Sequence, residues 1–167
     1  NWGNTPLQKL FDSWSWFRGT SGDYTVIAAD LNTSAKRGGY KIPILYMANE
    51  SEVIVNRFGK NGLFTKYSDK IKDLYNKSNE PLFSTLEMMT INGEKITIKG
   101  DQVIDNANMF KRAPIPPYLK WILPILKISS KFSSIDPHYT RFSSELNISI
   151  EDSIYKGNGV LEIMDLK

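Results

Sequence analysis

Alternation of apolar residues with polar or small ones, at a period of two, recurs from one end of this 167-residue chain to the other. A period of two puts successive side chains on opposite faces of a pleated strand, so each such run reads as a half-buried β-strand. Candidate strands cover 13–20, 23–32, 41–48, 52–58, 63–67, 81–91, 94–104, 139–150 and 157–165. Turn residues separate them: Arg37-Gly38-Gly39, Asn49-Glu50-Ser51, Gly59-Lys60-Asn61-Gly62 and Lys156-Gly157-Asn158-Gly159. Asn92-Gly93 between two alternating runs is the strongest short-range hairpin signal a sequence can carry. Strands joined mainly by short turns form a meander, and a meander of this length closes into a barrel. The stretch 68–77 reads either as a helical turn or as the continuation of a strand. Pro114, Pro116, Pro117 and Pro124 break the rhythm and exclude a central strand, which makes 114–134 a Pro-rich, partly helical insertion.

Size and composition narrow the function classes. One domain of 19.0 kDa buries an adequate core without metals or disulfides. A net charge of +3 with dispersed basic residues gives no footprint for nucleic acid. Zero cysteines exclude disulfides and a thiolate nucleophile, and a single histidine excludes a histidine-rich metal centre within this chain. No cofactor-binding or metal-binding motif is present, and the phosphate-binding loops and nucleophile elbows are missing too. Nothing in these residues fixes a cellular location.

Chemistry concentrates near the start. Three of the four tryptophans fall in the first sixteen positions, and the following run, Tyr24 to Asp30, ends an apolar alternation on one carboxylate. Tyr24, Val26, Ala28 and Asp30 share one strand face. If that face looks inward, Asp30 stands at the edge of an apolar pocket, where a carboxyl group can hold a proton near neutral pH. The competing reading makes Asp30 the cap of the turn at 31–34. Trp14 and Trp16 share a face that Arg18 continues. Pointing inward, the tryptophans would either be ordinary core residues or bind ligand, and Arg18 would need a carboxylate such as Asp30, Glu87 or Glu145, or a ligand anion; pointing outward, Arg18 is solvated. His138 follows a proline at a loop-to-strand junction, which is a surface or capping position.

The order Asn1-Trp2-Gly3, Trp14-Ser15-Trp16-Phe17-Arg18-Gly19 and Tyr24-Thr25-Val26 ending in Asp30 resembles the AttH-like and carotenoid hydratase (hydroxyneurosporene synthase) superfamily. The resemblance is tightest over residues 1–31 and looser over Tyr139–Phe142 and 157–165. It implies a lipocalin-like antiparallel up-and-down barrel, with this chain as the second, C-terminal barrel of a tandem pair and an N-terminal twin barrel as its partner. It implies a small apolar, isoprenoid-like ligand and hydro-lyase or cyclase chemistry, with Asp30 protonating an alkene. Trp2 would stabilise the carbocation by about 1–2 kcal/mol in a dry pocket, and Trp14, Trp16, Arg18 and Tyr24 would line the ligand site. This sequence departs from the family pattern in two places. The histidine expected before Asn1 is not part of it, and Ala28 stands where an aromatic is expected. The alternative is a non-catalytic barrel that binds a hydrophobic ligand or packs against its twin. The apolar segment 120–128 would either close the barrel or touch a membrane surface.

Overall fold

The computed structural model describes residues 9–72, 81–108 and 137–166. Nine strands make up nearly all of it: β1 (Phe11–Ser21), β2 (Tyr24–Thr33), β3 (Lys41–Ala48), β4 (Val53–Phe58), β5 (Leu63–Lys72), β6 (Pro81–Thr90), β7 (Lys95–Asn108), β8 (His138–Ile150) and β9 (Ser153–Asp165). They form one antiparallel sheet in the order β4-β3-β2-β1-β9-β8-β7-β6-β5. The sheet is a meander whose first and last strands, β1 and β9, pair along their length from Ser13↔Asp165 to Thr20↔Asn158. It curls into a lipocalin-like half-barrel, the fold class that the strand pattern and the resemblance together imply.

The open seam lies between β4 and β5, and the strand count explains it. Strand directions alternate around the sheet, and nine is odd, so β4 and β5 would have to run parallel to close the ring. A parallel pair needs a long crossover, whereas residues 59–62 alone join these strands. β5 therefore crosses over instead of pairing. The Gly59 N–H donates to the Pro43 carbonyl at 2.7 Å and the Ile91 N–H to the Gly62 carbonyl at 2.9 Å, which anchors the turn at the start of β3 and the end of β6.

Side chains from all nine strands meet on the concave face. Phe17, Val26, Leu45, Met47, Val55, Leu63, Leu86, Ile96, Phe142, Ile148 and Leu161 belong to one buried cluster. Each such side chain contributes on the order of 1.5–3 kcal/mol of burial, which pins the register, since a one-residue slip would turn the set outward. The Asn92-Gly93 turn joins β6 to β7, with Gly93 at φ 101° and the strands antiparallel neighbours from Thr85↔Lys99 to Met89↔Lys95. The stretch from residue 68 continues β5 as far as Lys72; the insertion at 114–134 and the segment at 120–128 lie outside the described residues.

One turn expected from the sequence is not a turn. Gly157-Asn158-Gly159 runs inside β9, and the reversal occurs at Glu151-Asp152, with Glu151 at φ 51°. The glycines answer close packing. A β-carbon at Gly159 would collide with the Phe17 ring and the Arg18 carbonyl, and one at Gly157 with the Thr20 carbonyl.

Candidate functional site

Asp30 sits near the end of β2, wholly buried, with Ser15 of β1 opposite on one side and Pro43 of β3 on the other. Val26 and Ala28, two and one alternations before it on the same face, are also wholly buried. The wall leading to the carboxyl group is therefore apolar, as the alternation implies.

The carboxyl group does not cap the turn that follows. Its Oδ2 accepts a hydrogen bond from the Tyr67 hydroxyl at 3.0 Å, and Oδ1 is buried with no partner among the described residues. The Tyr67 oxygen lies 2.8 Å from Ser15 Oγ as well, so β1, β2 and β5 converge on one polar knot inside an apolar interior. Phe83 of β6 steadies the Tyr67 ring, with centroids 5.8 Å apart at 51°. Burial, then the charge of Asp30, raises the Tyr67 pKa well above the ordinary tyrosine value, against a smaller lowering from Ser15. Tyr67 is consequently a neutral phenol with a proton to donate.

The crossing of β5 creates this knot, because it brings a residue 37 positions along the chain over Asp30. The same crossing leaves a groove of about 240 Å³ at the seam, walled by Pro43, Leu63, Phe64 and Thr65 and flanked by Lys41 and Lys60. Pro43 is shared between groove and site, as the register partner of Asp30.

The other residues singled out in the sequence lie elsewhere. Trp2 is outside the described residues. Trp14, Trp16 and Arg18 alternate with Ser15 and Phe17 and face away from the interior, so Arg18 is an exposed cation and no partner of Asp30. The physical reason is register: Phe17 is an anchor of the core, and the strand period sends its neighbours outward. Trp14 packs edge-on against Phe11, with centroids 6.3 Å apart. Tyr24 is on the inward face, but six residues from Asp30, about 20 Å at strand rise, and its ring leans on Tyr155. His138 is buried at 4% exposure, which corrects the surface position expected from its loop-to-strand context. Ser15 and Tyr67 were not singled out. Ser15 carried a weak signal, the opposite parity to Trp14 and Trp16, whereas Tyr67 carried none.

The outward tryptophans belong to a pattern of their own. Cross-strand register lines up Phe58, Ile44, Ala29 and Trp16 in one row, and Ile42, Leu31, Trp14, Met164 and Tyr139 in the next. Phe58 is 70% and Trp16 38% exposed. The convex face over β4-β3-β2-β1-β9 is thus apolar across two rows, bounded by the Arg141–Glu162 ion pair at 3.4 Å.

A curled antiparallel half-barrel with a buried carboxyl on its inner wall is a lipocalin-like barrel. Solved structures share the fold: CghA (TM-score 0.62, 10% identity, covering 98% of this chain and 42% of that one), CghA with Sch210972 (0.60, 10%, 96% and 42%), and kievitone hydratase from Nectria haematococca (0.57, 10%, 98% and 42%). At this identity the likeness is one of fold, and the chain spans less than half the length of each. No protein-family profile matches the chain, nor does any curated protein.

Proposed function

We propose that the chain is a barrel for an apolar, isoprenoid-like ligand in which Asp30 donates a proton to an alkene, within the AttH-like and carotenoid hydratase superfamily. The observation that carries the reading is the state of the Asp30 carboxyl group: wholly buried, Oδ2 held by Tyr67, Oδ1 without a partner. The motif order over residues 1–31 and a fold shared with a hydratase support the same reading. In this reading the seam groove between Lys41 and Lys60, which shares Pro43 with the site, would serve as the entrance.

In the step, the carboxyl O–H bond breaks as the alkene π pair forms a C–H bond, leaving a carboxylate and a carbocation. Water then forms a C–O bond to the cation, and its surplus proton returns to Asp30. In a cyclisation a second alkene takes the place of water, and a neighbouring C–H proton goes back to the carboxylate. Tyr67 remains a donor throughout, steadying the carboxylate after the transfer and leaving Oδ1 as the working oxygen.

One observation favours the non-catalytic alternative. Ala28, fully buried beside Asp30, offers no aromatic face to a cation. A single experiment separates the two readings. The full-length protein is incubated with squalene in D2O, products are read by mass spectrometry, and binding is followed with a fluorescent polyene fatty acid. The enzyme reading expects a product carrying solvent deuterium, absent in Asp30→Asn, with fatty-acid binding retained because the replacement is isosteric. Ligand binding without product in the unsubstituted protein assigns the carrier. Undiminished turnover in Asp30→Asn removes Asp30 from the chemistry.

A further inference from the structure

The end of the half-barrel remote from Asp30 holds a second recess, of about 320 Å³, where the β1–β2 and β3–β4 turns meet the start of β9. Its size is at the lower end of the range for small-molecule sites. One wall is braced by an asparagine side chain. The Asn49 side-chain oxygen accepts from the Ser51 and Glu52 N–H groups at 2.9 and 2.8 Å, which shapes the β3–β4 loop.

Three features set the chemistry that suits it. The rings of Tyr24 and Tyr155 stand 4.8 Å apart at 60°, forming an aromatic corner. The hydrogen bond with Tyr155, then burial and neighbouring charges including Asp23 and Glu52, raise the Tyr24 pKa, so Tyr24 stands in the corner as a neutral phenol. Charge comes second. Asp23 and Glu50 line the recess and no Lys or Arg does among the described residues, although the chain as a whole carries +3. The third feature is Ser21, 2% exposed on the recess wall, whose hydroxyl has no hydrogen-bond partner among the described residues. A buried hydroxyl in that state asks for a ligand group.

We infer that this recess binds a small organic ammonium ion carrying a hydrogen-bond donor, with the chemistry of choline or ethanolamine. The alkylated nitrogen rests in the Tyr24–Tyr155 corner, where ring faces attract cations. Asp23 and Glu50 offset its charge, and its donor reaches Ser21. The site is independent of Asp30, at the opposite end of β2.

The test uses 1H–15N correlation spectra of the chain, titrated with choline and with its uncharged isostere 3,3-dimethyl-1-butanol. Choline is expected to shift the amides of residues 21–24 and 49–52 saturably, and the isostere to leave them in place. Asp23→Asn with Glu50→Gln weakens choline binding at least tenfold, and so does Tyr155→Ala, with the remaining resonances unmoved. Asp30→Asn leaves it unchanged. Flotation with phosphatidylcholine against phosphatidylglycerol vesicles identifies the source. Choline-dependent capture that the double variant loses means a lipid headgroup; no capture means the free ion. Equal shifts with the isostere, no saturable shift at these amides, or unaltered binding in the double variant would overturn the proposal.

Discussion

A single phenol organises the inner wall. Tyr67 donates to Asp30 and meets Ser15, so Tyr67→Phe strands two buried oxygens at once. The expected cost is about 1–3 kcal/mol in urea unfolding at neutral pH, the usual penalty for an orphaned buried partner. Alkaline stability gives a second reading with a definite sign. The folded state holds the Tyr67 proton more tightly than the unfolded state, whose tyrosines titrate near about 10. The contribution is therefore complete below about pH 10 and is lost as pH rises beyond it, by up to about 1.4 kcal/mol per pH unit for one proton. Tyr24 and Tyr139 are shifted in the same direction. Unfolding free energies across pH 9–11 should fall less steeply in Tyr67→Phe than in the parent; identical slopes would mean that Tyr67 is not the buried titrating group.

Among the elements, β9 shows how packing overrules local signals. Its Gly157-Asn158-Gly159 reads as a turn because glycine and asparagine favour turns, yet the segment is held straight beneath Phe17. Gly159→Ala is expected to destabilise by about 1–3 kcal/mol, the common cost of overpacking, and Phe17→Leu should recover part of that loss in a double-mutant cycle. Asn158→Val, exposed on the same strand, serves as the control, since valine suits a strand better than asparagine; an equal loss there would mean that contact with Phe17 is not the cause. Every strand among the described residues was legible as alternation because burial on one face leaves a period-two trace. Strand ends were less so, as in β5, where Ser68–Lys72 continues a strand with no apolar pattern. Asp30 could be found as the lone acid ending an apolar face. Tyr67 could not, since its partner is set by the curl of the sheet and not by neighbours in sequence. The facing of Trp14, Trp16 and Arg18 was open for a related reason: parity names two faces without saying which is concave.

At the scale of the molecule, the convex apolar rows call for a cover. Large contiguous apolar patches mark interaction sites more often than free surface, and the twin barrel that the resemblance implies is proposed as the partner, docking over Trp16 and Phe58. The isolated chain should then self-associate in sedimentation at high concentration, and Trp16→Ser with Phe58→Ser should return it to monomer. A monomeric parent at those concentrations would argue against this use of the face. The pairing of β1 with β9 also has a mechanical consequence. The outer ends of these strands, Ser13 and Asp165, are register partners at the same edge of the sheet. Tension applied through the two ends would open their hydrogen bonds one after another, like a zipper, because those bonds lie across the strands. Tension applied between Ser13 and Gly157 would load the same ladder in shear, all at once. Single-molecule pulling should find rupture at lower force in the first geometry than in the second, and equal forces would place the weakest joint elsewhere, at the unpaired seam.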